Sequence, residues 1–164
     1  MSANEVHLGC GKHRISGWDN VDPYSASPGV IKMDAVEYMK KRHGNSIDTI
    51  RTLHMIEHIP RRGAEVLFRL FGSKLTKGGT LIIECPNVAK RMIDFLDGTG
   101  TGNPIWGLQR YPGDFHFWGY TPESLRAAVE KGGLEVTFLG PGRDRHAREG
   151  GTPEKHIRLE AVKP

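Results

Sequence analysis

The stretch Val6-His7-Leu8-Gly9-Cys10-Gly11, taken together with Trp18-Asp19-Asn20-Val21-Asp22, decides the fold of this chain. The first segment is apolar and ends in a pair of glycines, and the second is apolar and ends in an acid. Glycine lets the backbone approach a ligand closely or adopt a positive φ. An acid after the next strand can accept hydrogen bonds from ribose hydroxyls. The two segments therefore predict a nucleotide-type cofactor at the ends of neighbouring strands.

The composition indicates one globular domain over residues 1–164. A chain of 164 residues is long enough to bury a core, and its hydrophobic fraction of 37% is ordinary. No apolar run reaches the roughly 20 residues of a membrane span, and the first four residues carry no signal-peptide pattern. The only cysteines, Cys10 and Cys85, form no disulfide framework. We expect reduced thiols, a cytoplasmic location and no membrane partner.

The charge balance is mildly basic. Lys and Arg number 23 against 19 for Asp and Glu, which gives a formal net charge of +4. Basic residues gather in Lys40–Arg42, Arg61-Arg62 and Arg143–Arg148. Such runs are either solvated faces or a source of attraction to an anionic substrate, for example nucleic acid or a phosphorylated sugar.

The remaining pattern predicts alternating strands and helices. Only Lys12–Gly17 separate the first two strands, too few residues for a crossover helix. Two glycine-rich loops are predicted at Asp97–Gly113 and Gly140–Lys155. The predicted strands are Glu5–Leu8, Trp18–Val21, Val30–Met33, Ile47–Leu53, Thr80–Pro86, Leu134–Leu139 and His156–Val162. The predicted helices are Ala35–His43 after the cap Asp34, Arg61–Thr76, the segment from Asn87 to Leu96, and the segment from Thr121-Pro122 to Gly132.

The segment His54-Met55-Ile56-Glu57-His58 has two interpretations. As written it matches H-x-x-E-H, the inverted zinc-peptidase signature, in which two histidines share a helical face. However, a strand precedes it, Pro60 follows closely, and no third ligand stands at helical spacing. The second interpretation, a non-metal segment that follows the fourth strand, comes with the family resemblance described next.

The chain resembles class I S-adenosylmethionine-dependent methyltransferases, and most closely their small type 11-like bacterial and phage branch. Leu8-Gly9-Cys10-Gly11, Asn20-Val21-Asp22, the H-x-x-E-H segment, Lys77-Gly78-Gly79 before a strand, and the run from His116 to Leu125 carry the resemblance. It implies an α/β, Rossmann-like fold with a mostly parallel sheet and an antiparallel last strand. Here the first helix is reduced or missing, so one wall of the cleft is open or is supplied by a second subunit in a homo-oligomer.

The resemblance also implies roles for particular residues. S-adenosylmethionine is the expected cofactor and S-adenosylhomocysteine the product. The expected cofactor-binding residues are Gly9, Cys10, Gly11, Asp22 (ribose), Met33, Asp34 (adenine), Ala35, His54 and Met55. The candidates for a catalytic base are His54, His58 and His116, because histidine titrates near neutral pH. The expected acceptor-binding residues are Glu57, Trp106, Tyr111, Trp118 and Tyr120.

The function expected from these residues is methyl transfer to an acceptor. The Asn/Asp-Pro-Pro-Tyr/Phe motif of amino-group methylation on bases is absent, and a sugar or small-molecule oxygen is preferred, with nucleic acid left open. No metal ligand is assigned. Alternatives are a module that binds S-adenosylmethionine without transfer and a zinc hydrolase that uses His54, Glu57 and His58. A nicotinamide-dependent oxidoreductase is disfavoured because Arg14 stands where the third glycine of its motif belongs.

Overall fold

A computed structural model describes residues 4–142 and 153–164. Its framework is one six-stranded sheet in the order β2-β1-β3-β4-β6-β5. The strands are β1 (Glu5–Leu8), β2 (Asp19–Val21), β3 (Ile47–Leu53), β4 (Leu75–Pro86), β5 (Glu135–Pro141) and β6 (His156–Val162). The helices are α1 (Ala35–Lys41), α2 (Arg61–Lys74), α3 (Val88–Leu96), α4 (Asn103–Trp106) and α5 (Pro122–Lys131), with 3-10 turns at Ile56–His58 and Pro153–Lys155.

The sheet is parallel except at β6. Strands β2, β1, β3 and β4 pair in parallel, whereas β6 pairs antiparallel with both β4 and β5. The carboxyl ends of β1, β2 and β3 therefore meet at one edge. This confirms the predicted mostly parallel α/β sheet with an antiparallel last strand.

The connection between β1 and β2 has no helix within the described residues, as the short spacing predicted. Asn20 holds it instead: its side-chain oxygen accepts from Ile15 N at 2.8 Å, and its amide donates to Ile15 O at 2.8 Å. The predicted strand Val30–Met33 is wrong. Only Ile31 pairs there, in a single parallel bridge to Val21, because the loop meets the short edge strand β2 for one residue.

Most helix boundaries follow local signals. Asp34 caps α1, Asn87 caps α3, and Thr121 forms a capping box with Ser124 at α5. Helix α2 ends at Lys74 rather than at the predicted Thr76, because Leu75 is already extended and pairs with Ile47 as the first residue of β4. The predicted long loop Asp97–Gly113 contains the short helix α4.

The core lies where α2 and α5 cover the sheet. Leu67, Phe71, Leu125 and Val129 are buried against strand residues such as Ile83. The near-continuous apolar run in β4 is buried on both faces, as a covered parallel strand should be. Most of the predicted loop Gly140–Lys155 and the run Arg143–Arg148 lie outside the described residues. Across ranges 4–142 and 153–164, no helix combines the length and apolar character needed to cross a bilayer.

Candidate active site

A cleft of about 1410 Å³ opens at the carboxyl ends of β1, β2 and β3. Ligands bind at this edge in open α/β sheets, because the loops that follow parallel strands converge there. Gly9–Lys12, Asp22 and Leu53–Met55 follow the three strands and line the cleft. The topology therefore places the predicted glycine, ribose-acid and post-strand segments around one space.

Gly9 and Gly11 turn the chain sharply at the end of β1. Their φ angles are +65° and +52°, a region that favours glycine. A Cβ at Gly9 would overlap the Met55 side chain, whereas a Cβ at Gly11 would meet nothing within 4 Å. Gly9 therefore makes room for Met55, and the absence of a side chain at Gly11 leaves space beside it in the cleft. Between them, burial and the charge of Asp22 raise the pKa of the Cys10 thiol to about 11, so it is not a nucleophile at neutral pH.

Asp22 ties two loops together. Its Oδ2 accepts from Gly11 N at 2.9 Å, and its Oδ1 accepts from Tyr24 N at 2.8 Å and Ser25 N at 2.7 Å. Ser25 Oγ donates back to Gly11 O at 2.7 Å. Because a carboxylate offers about four acceptor positions, Asp22 has room for about one further hydrogen bond, on Oδ2.

Asp34 lies farther along the same cleft. Its Oδ1 accepts both cap bonds, from Val36 N at 2.8 Å and Glu37 N at 3.1 Å. Capping thus leaves Oδ2 for a ligand, so the cap and adenine-binding roles are compatible. Ala35 also lines the cleft, whereas Met33 packs against the hydrophobic core and does not line it.

His54 occupies an unusual backbone position at the end of β3. Its φ is +52°, which is uncommon for a residue with a side chain, and its amide donates to Glu84 O at 2.8 Å. Its Nδ1 lies 3.5 Å from Glu57 Oε1, an ion-pair distance. Such strained positions concentrate at functional sites because the surrounding structure must hold them in place.

Glu57 is the buried centre of a polar cluster. It is 2% exposed, and neither carboxylate oxygen has a hydrogen-bond partner among the described residues. Burial alone would raise its pKa, but contact with His54 and the electrostatic influence of the His54, His58 and His116 rings outweigh that effect, so the pKa is lowered. The carboxylate is therefore ionised near neutral pH and favours a cation beside it.

His58 and His116 form an edge-to-face pair, with ring centroids 4.6 Å apart. His58 Nδ1 lies 3.0 Å from Phe115 O, and His116 Nδ1 lies 3.1 Å from Pro104 O. Burial lowers the pKa of His116 despite the opposing charge of Glu57. His58 lines the cleft, whereas His116 and Glu57 stand behind it.

The H-x-x-E-H segment is not a helix. Strand β3 ends at Leu53, and only Ile56–His58 form a 3-10 turn, so His54 and His58 do not share a helical face. A different trio has potential metal-ligand atoms within 4.8 Å of one another: Glu57, His58 and His116. Among the described residues, the trio close enough to share a metal ion therefore contains His116 in place of His54.

Two loops meet beside the cleft. The Tyr24 ring lies 5.4 Å from the Tyr111 ring and fills the space beside Gly113, where a Cβ would overlap it. Arg110 Nε lies 2.7 Å from Asp114 Oδ2 and stiffens the second loop. Both loops line the cleft, so residues distant in sequence close one side of it.

The predicted aromatic acceptor residues do not stay together. Tyr111 lines the cleft, but Trp106 packs edge-on against Phe95 at the surface. Arg61 stacks on the half-exposed Trp118 ring, 5.0 Å from its centroid. Tyr120 is buried against Phe68 in the core, and burial raises the pKa of its hydroxyl well above the usual range.

Several cleft residues were not predicted from the sequence. Loops after parallel strands are the expected location for them, so the residues after β2 could have been inferred from the topology alone. The omitted lining residues are His7, Lys12, His13, Val21, Pro23–Pro28, Leu53, Ile59, Pro60, Arg110 and Pro112–Asp114.

Comparison with known proteins identifies the family. Residues 6–138, most of the chain, match a family model described as a methyltransferase domain. The chain belongs to the methyltransferase-domain family. It is accordingly an enzyme, and S-adenosylmethionine is its cofactor. A search of curated proteins returned no match.

Solved structures agree with this fold. A SAM-dependent methyltransferase from Archaeoglobus fulgidus is 18% identical, with 99% of this chain and 86% of that chain covered and a TM-score of 0.68. A SAM-dependent methyltransferase from Methanosarcina mazei is 17% identical, with 97% and 91% covered and a TM-score of 0.65. Magnesium protoporphyrin IX methyltransferase from Synechocystis, solved with bound SAH, is 16% identical, with 99% and 74% covered and a TM-score of 0.57.

Proposed function

We propose that this methyltransferase acts on a hydroxyl oxygen of a sugar or small-molecule acceptor. We further assign the chain to the small type 11-like bacterial and phage branch, on the motifs that follow its first, second and fourth predicted strands. Two cysteines without a disulfide, Cys10 and Cys85, support cytoplasmic action. The observation that carries the acceptor proposal is the buried carboxylate Glu57 beside His54 at the cleft wall.

The residues present fit S-adenosylmethionine. The space beside Gly11 is free for a ligand, Asp22 retains about one acceptor position, and Asp34 Oδ2 is not used by the helix cap. These three features lie in one cleft with His54 and Met55. We assign Asp22 to a ribose hydroxyl, Asp34 to the adenine amino group, and Met55 to the region of the transferred methyl group.

The acceptor must lose a proton if it is a hydroxyl. Bound S-adenosylmethionine supplies an electrophilic methyl group whose bond to sulfur breaks with the electron pair staying on sulfur. The acceptor oxygen forms the new bond to that carbon, and His54 takes the hydroxyl proton as general base. Ionised Glu57, 3.5 Å from His54 Nδ1, stabilises the histidinium that results. A neutral amine needs no such base during transfer, and the dyad therefore favours an oxygen acceptor.

The cofactor assignment is tested by calorimetric titration with S-adenosylhomocysteine, with NAD as the control ligand. Micromolar binding of S-adenosylhomocysteine alone is expected. A panel of hydroxyl and amine acceptors is then screened with methyl-labelled cofactor.

The base assignment is tested by His54→Asn, because asparagine tolerates the positive φ that His54 adopts. We expect about 10²–10⁴-fold slower transfer with S-adenosylhomocysteine affinity retained. His43→Ala is the matched control, since His43 is an exposed histidine outside the cleft. Unchanged transfer in His54→Asn would refute the base. Cofactor binding without transfer to any acceptor would favour the alternative, a module that binds S-adenosylmethionine without turnover.

A further inference from the structure

The histidine pair His58 and His116 has no part in the proposed proton transfer. Both rings are nevertheless anchored in the same way, with Nδ1 about 3 Å from a backbone carbonyl, of Phe115 and Pro104 respectively. A carbonyl can only accept, so each Nδ1 donates a proton, and in the neutral imidazole each Nε2 then carries the lone pair that can bind a metal ion. Histidines that bind metals are typically oriented by this type of outer contact.

The carboxylate of Glu57 supplies a third potential metal ligand beside the two histidines. One of its oxygens and one nitrogen from each of the two histidines lie within 4.8 Å of one another. Oε1 lies 3.5 Å from His54 Nδ1, which leaves Oε2 for a further cation. Neither oxygen has a hydrogen-bond partner among the described residues, although the side chain is 97% buried. His54 compensates this buried carboxylate at Oε1 only, and a cation beside Oε2 would lower the cost of its burial further.

We propose that Glu57, His58 and His116 bind a divalent transition-metal ion, with zinc the best match. Two imidazoles and one carboxylate form a ligand set found in zinc sites that keep an open position. Ligand atoms around tetrahedral zinc stand about 3.3 Å apart, given bond lengths of about 2.0–2.1 Å. The three side chains, now within 4.8 Å, therefore need only a modest closing movement.

The location of this site gives the ion a role in the reaction. His58 lines the cleft, so an ion that it holds would be reached from the space that the cofactor and its acceptor share under the proposed function. A divalent ion held by Glu57, His58 and His116 would lower the pKa of an acceptor hydroxyl that reaches it and would ease the loss of its proton to His54. This role rests on the proposed function, whereas metal binding itself does not. The proposed role of the ion narrows the acceptor class to molecules whose hydroxyl can bind a metal ion.

The test uses full-length protein without an affinity tag, stripped of metal with a chelator that is then removed. Zinc is titrated calorimetrically, and cobalt is titrated while the visible absorption that reports nitrogen and oxygen ligation is recorded. We expect one ion per chain and a visible cobalt spectrum. His116→Ala and Glu57→Gln should each weaken zinc binding by more than about 100-fold and remove the cobalt bands. His43→Ala should bind as the unmodified protein does.

Controls separate this proposal from the methyltransferase assignment. Circular dichroism checks folding of each variant, and His116→Gln replaces His116→Ala if the latter does not fold. S-adenosylhomocysteine affinity is measured on the same metal-free and metal-loaded samples. Cofactor binding without stoichiometric metal binding would overturn the metal site alone. Metal binding without cofactor binding would sustain the site and refute the proposed function. Zinc binding of unchanged affinity in both His116→Ala and Glu57→Gln would also overturn the proposed metal site.

Discussion

The turn at Gly9 offers a sharp test of how the cofactor cleft is built. Gly9→Ala places a side chain at φ +65°, a left-handed conformation that costs about 1–2 kcal/mol for a residue with a Cβ. The new Cβ also overlaps Met55, and forcing an extra methyl group into a packed site costs about 1–3 kcal/mol more. The expected loss of unfolding free energy is about 2–5 kcal/mol, a large part of a typical domain's stability.

Gly11→Ala is the matched control for that substitution. Gly11 has φ +52°, but a Cβ there meets nothing within 4 Å, so only the backbone cost of about 1–2 kcal/mol applies. Urea unfolding of both variants measures the two free energies. In a double-mutant cycle, Gly9→Ala should cost about 1–3 kcal/mol less in a Met55→Gly background, because the Met55 Cβ and Cγ atoms that overlap the new Cβ are removed. Equal losses for Gly9→Ala and Gly11→Ala would refute the argued contact with Met55.

Three further predictions concern charged groups of the site. Asp22→Ala should lower the free energy of unfolding by about 1–3 kcal/mol, because three backbone N–H groups lose their acceptor, and should lower S-adenosylhomocysteine affinity at least tenfold through the lost ribose contact. Asp34→Ala should cost about 1 kcal/mol in urea unfolding through its helix cap, and an unchanged S-adenosylhomocysteine affinity in Asp22→Ala would contradict the ribose assignment. Burial lowers the pKa of His116 from 6.5, so the stability that it contributes is present above pH 6.5 and is lost as the pH falls below that value. The free energy of unfolding of His116→Phe should therefore decline less steeply between pH 7 and 5 than that of the unmodified protein, and identical slopes would contradict this prediction. The pKa of Glu57 is lowered from 4.5, so the stability that its carboxylate contributes is present above pH 4.5 and is lost at lower pH. Glu57→Gln should therefore make the free energy of unfolding depend less on pH below 4.5. An unchanged pH dependence would contradict an ionised carboxylate at this position.

The fold was largely predictable because its signals are local. Asp34, Asn87 and Thr121 each begin a helix through their own side chains, and the segment Lys12–Gly17 is too short for a helix that crosses between parallel strands. Leu75 could not be predicted in the same way. Its pattern continues the apolar face of α2, and only pairing with Ile47 on another strand makes it extended. The isolated bridge at Ile31 likewise depends on how short β2 is.

The candidate site was predictable where it follows strands and obscure where it depends on loops. Gly9, Asp22 and His54 each stand directly after a strand, so the parallel topology brings them together. Tyr24 reaches the cleft on a loop whose conformation is held by the Asp22 carboxylate, which accepts hydrogen bonds from the Tyr24 and Ser25 N–H groups. Trp118 and Tyr120 are two residues apart, yet one is at the surface beneath Arg61 and the other is in the core. Composition alone cannot distinguish these two environments.

The contact between Tyr24 and the 111–113 segment has a consequence for the tempo of catalysis. Two loops that touch beside the cleft must separate if a ligand as large as the cofactor passes between them, and such loop motions often limit turnover. Gly113 is small enough to let the Tyr24 ring lie against the backbone, and a larger residue there would hold the loops apart. If the spent cofactor leaves between these two loops, their separation would set its residence time independently of the speed of methyl transfer.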